Sequence, residues 1–419
     1  MPFFRDVRLL GVCAAIAVLS SWSANAQNDR DDKDNRDKRI KHVFVVALEN
    51  HNWTQPATVT AGIQQVYQNP AAPFINSLVN GTAQLYINGH LESISQHVAY
   101  AAAYHNVLAT PSGNNPHIHP SEPNYLWAEA GTNFGVANDN DPFSSSGATN
   151  QTTTQHLTGL LQSAHRTWKS YQEDIDLSMD AGGKLVNTPL PENMWTVPLQ
   201  SFSGLFGTTS NLNASNATLQ YNYAAKHNPQ VFFTDTNGGD DTSTSNLLAK
   251  NYAPLQQLAF DLADGNVADY VWISPNQYND MHSGLTGGIA GVTGDAANIK
   301  AGDNFVSRIV PQIMSSRAYQ DGGVIILWWD ESEADDVTGD NGDDYNHTIG
   351  EIVISKYAHA NANGLPYGSL VNYTHSSDLR TLQEIFHVTA SGSSPYLGDA
   401  ANATDLSDLF VPGVIPTKP

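Results

Sequence analysis

Cysteine is almost missing from this sequence: among 419 residues only Cys13 carries a thiol. Residues 1–26 set Arg5 and Arg8 before an apolar core at 9–19 and close with Ala24-Asn25-Ala26 ahead of Gln27. That is the pattern of a secretory signal peptide with a small-x-small cleavage site, too short to serve as a mature membrane anchor. On this expectation the exported chain has no thiol, which excludes a disulfide framework, a cysteine nucleophile and a thiolate metal site. Basic residues are scarce as well. Residues 1–26 hold two of the 19 Lys+Arg and one of the 41 Asp+Glu, so the remainder carries 17 against 40, a net charge of −23. Such a surface repels nucleic acid and anionic membranes at long range. It does not exclude a small phosphorylated substrate, because a cation and histidines inside a cleft can reverse the local field. No later apolar run is long enough to span a bilayer. The expectation is a secreted or periplasmic protein without stable membrane insertion; composition is silent on oligomeric state.

Residues 28–41, NDRDDKDNRDKRIK, mix both charge signs with almost no apolar side chain and read as a flexible charged linker covering 27–41. Beyond it there is no internal repeat and no compositional break, so 42–419 is expected to form a single domain. The stretch 43–50, VFVVALEN, is too short for a helix and runs abruptly into an acid and an amide, as a buried strand ending at a ligand site does. Residues 323–331, GVIILWWDE, repeat the pattern. If the two strands are neighbours, Glu49, Asn50, Asp330 and Glu331 meet at one sheet edge. Three crowded carboxylates repel one another, and a divalent cation between them is the simplest way to keep all three ionised. The alternative is that each acid caps a following helix or solvates a loop.

Residues 117–131, HIHPSEPNYLWAEAG, bracket Ser121 with Pro120 and Pro123 ahead of a helix-forming run. A hydroxyl at a helix start faces unpaired backbone donors and the positive end of the helix dipole, which favour an alkoxide and bind phosphate oxygens. It also describes an ordinary helix cap. His227 in AKHNPQVFFTDT (225–236) is expected just before a short strand. His282 follows the strand in DYVWISPNQYNDMH (269–282), in a polar loop that also carries Asp280. Imidazoles at strand margins suit proton transfer or contact with a phosphoryl oxygen, and equally suit structural packing. The stretch holding His97 and His105 has helical character. NDNDP at 138–142 lacks the glycine and bidentate acid of a calcium-binding EF-hand loop and reads as solvated loop. Strands at 167–175, 271–274 and 350–355, with helices at 157–164 and 375–386, complete an alternating β/α order. That order predicts an α/β fold with a mainly parallel central sheet sandwiched by helices.

Seven ordered blocks, ENHNW, HPSEPNYLWAEAG, TWKSYQEDI, KHNPQVFF, SPNQYNDMH, GGVIILWWDESE and HSSDLRTLQEIF, resemble the bacterial acid phosphatase and phospholipase C phosphoesterase family of the alkaline phosphatase superfamily. The resemblance runs from about Ile40 to Phe410 and implies an alkaline-phosphatase-like fold. It also implies a metal-dependent phosphoester hydrolase acting through a phosphoserine. By motif, Glu49, Asn50, Ser121, Asp330 and Glu331 hold the divalent metal cation. Ser121 is the nucleophile, and His227 and His282 bind phosphate or assist the leaving group. Glu331 stands where some relatives have Asp, which leaves the metal's identity open. The resemblance also implies Asp280 as a partner that orients the nearby histidine, with His119 and His375 as lesser candidates. Phosphomonoesterase and phospholipase C-type diesterase share these residues; the acidic charge favours soluble monoesters. A non-catalytic exported binding protein is the remaining alternative.

Overall fold

Residues 43–48 form the predicted strand, every one of them withdrawn from solvent, and each buried Val, Leu or Phe there contributes about 1.5–3 kcal/mol. The structure, a computed structural model, describes residues 39–55, 57, 59, 62–106, 119–202, 212–220, 222–283, 287–333 and 348–419. The expected signal peptide, nearly all of the linker, His117 and most of the acidic run after Glu331 lie outside the described residues. Residues Ile40–Pro419 form one compact unit.

The main sheet comprises β1 (His42–Leu48), β2 (Val98–Ala101), β3 (Trp168–Gln172), β4 (Tyr252–Pro254), β5 (Tyr270–Ser274), β6 (Gly323–Trp329), β7 (Glu351–Ser355) and β8 (Tyr367–Ser369). Their spatial order is β4-β3-β5-β1-β6-β7-β2-β8. Pairing is parallel from β4 through β6 and again between β2 and β8; β7 alone runs antiparallel to both its neighbours. The predicted mainly parallel α/β sheet is thus present, with β1 and β6 adjacent at its centre.

The principal helices are α1 (Pro73–Val79), α2 (Ser121–Ala130), α3 (Leu157–Ser163), α4 (Gln257–Asp264), α5 (Asp295–Met314) and α6 (His375–Phe386). They cover both faces, as two successive tryptophans show. Side chains alternate across a strand, so Trp328 reaches His375 of α6, whereas Trp329 turns the other way onto Met281, which lies against Gly302 of α5. α2, α3 and α6 pack together on the first side, and α1, α4 and α5 on the second. Gly131 ends α2 at φ +66°, where an added Cβ would lie 2.7 Å from the Leu397 carbonyl oxygen; the helix terminus is therefore locked against the chain around 398. No described helix is long and apolar enough to cross a membrane.

Two local expectations fail. The segment beginning at His97 is not helical: a short 3-10 turn, Ser95–His97, leads into β2. The vacancy between β7 and β8 captures VAYA as a strand, tertiary pairing overriding the weak local preference of alanine. Nor does a strand follow His227. Ala225–His227 and Pro229–Phe232 are 3-10 turns, because Pro229 has no amide hydrogen to give a ladder, although Val231 and Phe232 are still buried.

Candidate active site

Leu48 and Trp329 are partners in the parallel β1–β6 pair, so the next residues, Glu49 and Asp330, leave the sheet side by side at the strand spacing of about 4.8 Å. The Asp330 amide donates to the Leu48 carbonyl at 3.2 Å, holding that register beyond the strand ends. Across the gap α2 begins with Ser121. Its hydroxyl lies 2.9 Å from Glu49 Oε2, 3.2 Å from Glu331 Oε1 and 3.4 Å from Asn50 Oδ1. Asn50 Nδ2 donates to Glu331 Oε1 at 2.5 Å. The two strand ends and the helix start predicted from sequence therefore converge.

Both imidazoles face the same carboxylate. His227 Nε2 is 3.0 Å from Glu49 Oε1, and His282 Nδ1 is 3.8 Å from Glu49 Oε2. His227 is buried and stacked on Tyr125, while the His282 side chain, 38% exposed, stands at the mouth and also approaches Glu333 at 3.8 Å. Burial opposes the charged form of His282, yet the contact with Glu49 and the charges of Glu49 and Glu333 push it up to about 9. Burial likewise works against ionised Glu49, but His227 and Lys226 outweigh it and hold the carboxyl well below its usual range. The neighbouring acid behaves in the opposite way. Burial, then the charges of Glu49 and Glu331, drive Asp330 well above an ordinary carboxyl, and among the described residues neither of its oxygens has a hydrogen-bond partner. One hydroxyl hydrogen on Ser121 cannot serve Glu49, Glu331 and Asp330 together.

Among the described residues no three His, Cys, Asp or Glu side chains already stand as a ready metal cluster. What converges is a mixed set of carboxylate, amide and hydroxyl oxygens linked to one another by hydrogen bonds. Two lesser candidates do something other than expected. His375 has both ring nitrogens engaged: its Nδ1 accepts from Trp328 Nε1 at 3.1 Å and lies 2.8 Å from the oxygen of Tyr104, whose hydrogen goes to Asp378, its Nε2 donates to the Asp330 carbonyl oxygen at 2.5 Å, and burial pushes it down to about 3, neutral. It is a strut beneath Asp330. Asp280 does not hold the His282 ring; its carboxylate accepts the backbone amides of His282 and Ser283 at 2.9 and 3.1 Å and so shapes the loop. His119 does join the site, with Nδ1 2.8 Å from Glu331 Oε2.

Four further residues escaped the sequence reading. Asn124 Nδ2 donates to Glu331 Oε2 at 3.1 Å, and the Tyr125 hydroxyl donates to Glu49 Oε1 at 2.7 Å. These positions are three and four residues after Ser121, hence on its helix face, and that spacing was a usable signal. Lys226 Nζ lies 3.4 Å from Ser121 Oγ and 2.9 Å from Asp139 Oδ2. Asp139 Oδ1 also accepts the Glu122 amide in the first turn of α2. Nothing in NDNDP announces that role.

The phosphoesterase family model matches residues 114–389. Over 215 residues the chain is 24% identical to the phosphate-repressible acid phosphatase of Penicillium chrysogenum, covering 51% of this chain and 39% of that protein; it thus spans about two-fifths of the fungal relative. It is 24% identical over 407 residues to the phosphatidylinositol-3-phosphatase of Mycobacterium tuberculosis, 97% of this chain and 94% of that one. Among solved structures, the phosphonate monoester hydrolase SpPMH of Silicibacter pomeroyi aligns with a TM-score of 0.37 at 10% identity, over 88% of this chain and 76% of that one.

Proposed function

The chain belongs to the phosphoesterase family, and from that premise we propose that it is an exported phosphoric monoester hydrolase in which Ser121 is the nucleophile. The observation that carries this is the Ser121 hydroxyl at a helix start, 2.9 Å from Glu49 and in reach of Asn50 and Glu331. In the first half-reaction the hydroxyl proton passes toward Glu49 Oε2, the oxygen forms a bond to phosphorus, and the bond from phosphorus to the leaving oxygen breaks with its electron pair. His282, charged below about pH 9 and placed at the mouth, gives that oxygen its proton; His227, fixed against Tyr125 and Glu49, donates to a phosphoryl oxygen. Water then attacks phosphorus and gives a proton to His282 while the bond from phosphorus to Ser121 Oγ breaks; Oγ takes back the proton held by Glu49, and inorganic phosphate leaves.

The residue set fits a hard divalent cation in donor chemistry, being all oxygen, and in the two unmet oxygens of Asp330. Glu49, Asn50, Ser121, Asp330 and Glu331 would hold it. When bound, such an ion supplies positive charge that keeps the carboxylates ionised and makes the serine hydroxyl more acidic. Both relatives described above bear phosphatase names, which supports the monoester reading over a diesterase. Ser121→Ala is expected to abolish hydrolysis of p-nitrophenyl phosphate while the protein stays folded, and acid quenching of the wild type should trap phosphate on the peptide containing Ser121. Chelation should stop turnover and an added divalent cation restore it. Near-native turnover by Ser121→Ala would overturn the assignment.

A further inference from the structure

Lys226 has three ammonium hydrogens. One is committed to Asp139 Oδ2 at 2.9 Å, and the Nζ stands 3.4 Å from Ser121 Oγ. Once that oxygen is bonded to phosphorus, the other phosphoryl oxygens lie within about 2.5 Å of it, a tetrahedral edge, so hydrogen-bond contacts of about 2.7–3.0 Å from Nζ to one of them come within reach. The lysine is not on the surface by default. Its side chain is 20% exposed, and its ammonium feels the charges of Glu49 and Asp330 at the sheet edge as well as that of Asp139. Asp139 ties it to the start of α2, because its second oxygen accepts the Glu122 amide at 3.1 Å. The helix that carries the nucleophile and the lysine that looks at it are therefore held by one carboxylate.

We infer that Lys226 is a further catalytic residue, a fixed ammonium that grips a phosphoryl oxygen of the substrate and of the phosphoserine, and that Asp139 is its positioning residue. This rests on the reading of Ser121 as the nucleophile. The competing account is that Lys226 only neutralises Asp139, a partly exposed pair that contributes little. The two accounts differ for a doubly charged phosphoryl group. A donor aimed at charge in the reacting group is worth about 10²–10³-fold when removed. Lys226→Met should lower kcat/KM for p-nitrophenyl phosphate by that factor, lower it much less for the singly charged methyl p-nitrophenyl phosphate, and weaken inhibition by inorganic phosphate at least about tenfold. Lys226→Arg should recover most of the loss. Asp139→Asn, which leaves the lysine in place but loose, should raise both KM and the phosphate inhibition constant several-fold, with Asp139→Glu restoring them; a role confined to folding would change neither.

Phosphate binding to Ser121→Ala, measured by calorimetry, provides a readout without turnover. It should survive in Ser121→Ala and fall at least about tenfold when Lys226→Met is added. If Lys226→Met does not fold, Lys226→Gln and Asp139→Asn give the same comparison. Kinetics and phosphate binding unchanged within twofold in these variants would overturn the inference while leaving the serine assignment standing; turnover by Ser121→Ala would instead remove the premise.

Discussion

The two ends of α2 hold buried carboxylate clusters that look alike in composition and differ in satisfaction. At the C-terminal end, Glu129 takes the Thr158 amide at 2.9 Å, the Thr158 hydroxyl at 2.8 Å, Gln230 at 3.0 Å and His156 at 3.1 Å. The other nitrogen of His156 meets Asp235 at 2.9 Å, and the ring stacks on Phe233. Burial disfavours the imidazolium, but the two carboxylates prevail and raise His156. Both Glu129 oxygens and both His156 nitrogens have partners within the protein, and among the described residues only the Gln230 Oε1 of this cluster is left without one. At the N-terminal end Asp330 has none for either oxygen among the described residues, and one serine hydrogen is contested by several acceptors. A saturated cluster holds a fold together, whereas an unsaturated one is waiting for something from outside.

The comparison can be broken most forcefully at His156. His156→Ala leaves buried Glu129 and half-buried Asp235 without their cation and should cost about 3–5 kcal/mol in urea unfolding, with turnover per folded molecule unchanged. Asp330→Asn should do the reverse, lowering kcat by about 10²–10³-fold while the chelated protein gains about 1–3 kcal/mol, because the cost of burying a carboxyl without partners has gone. A loss of stability there would sink the contrast.

An intermediate case sharpens it. Asp378 on α6 faces Glu351, and although Tyr104 donates to it, burial pushes it up to about 7 from the ordinary 3.8. The native state therefore keeps a proton that the unfolded chain releases, so stability should fall as pH rises from about 4 to about 7. Asp378→Asn should flatten the measured unfolding free energy across that window. The smallest effect is expected from Tyr125→Phe, which removes one donor from Glu49; about 0.5–1.5 kcal/mol, less than or near tenfold in kcat, is the range for one such bond.

Much of the site was legible beforehand because Glu49, Asn50, Asp330 and Glu331 follow apolar runs that only a buried strand explains, and Ser121 sits between prolines that mark a helix start. The sheet was legible for the same reason, in 43–48, 271–274 and 323–329. What could not be read were residues whose roles depend on side-chain reach. Lys226 precedes a histidine in a proline-ended turn, Asp139 lies in a loop of asparagines and aspartates, and His375 opens a helix; none has a local pattern distinguishing a contact with the site from solvent or core. The strand at Val98–Ala101 was missed because its identity comes from the neighbours that pair with it.

Apolar periodicity and turn chemistry are local properties, so the amino-acid order alone determined where the central strands end and which acids and hydroxyl stand at those ends. Whether β1 and β6 lie side by side, which carboxylate finds partners and which is left without, and that a lysine 105 positions away faces Ser121, were decided only when distant segments packed. Hydrogen-bond satisfaction and electrostatic environment depend on through-space distance, and no stretch of sequence contains that.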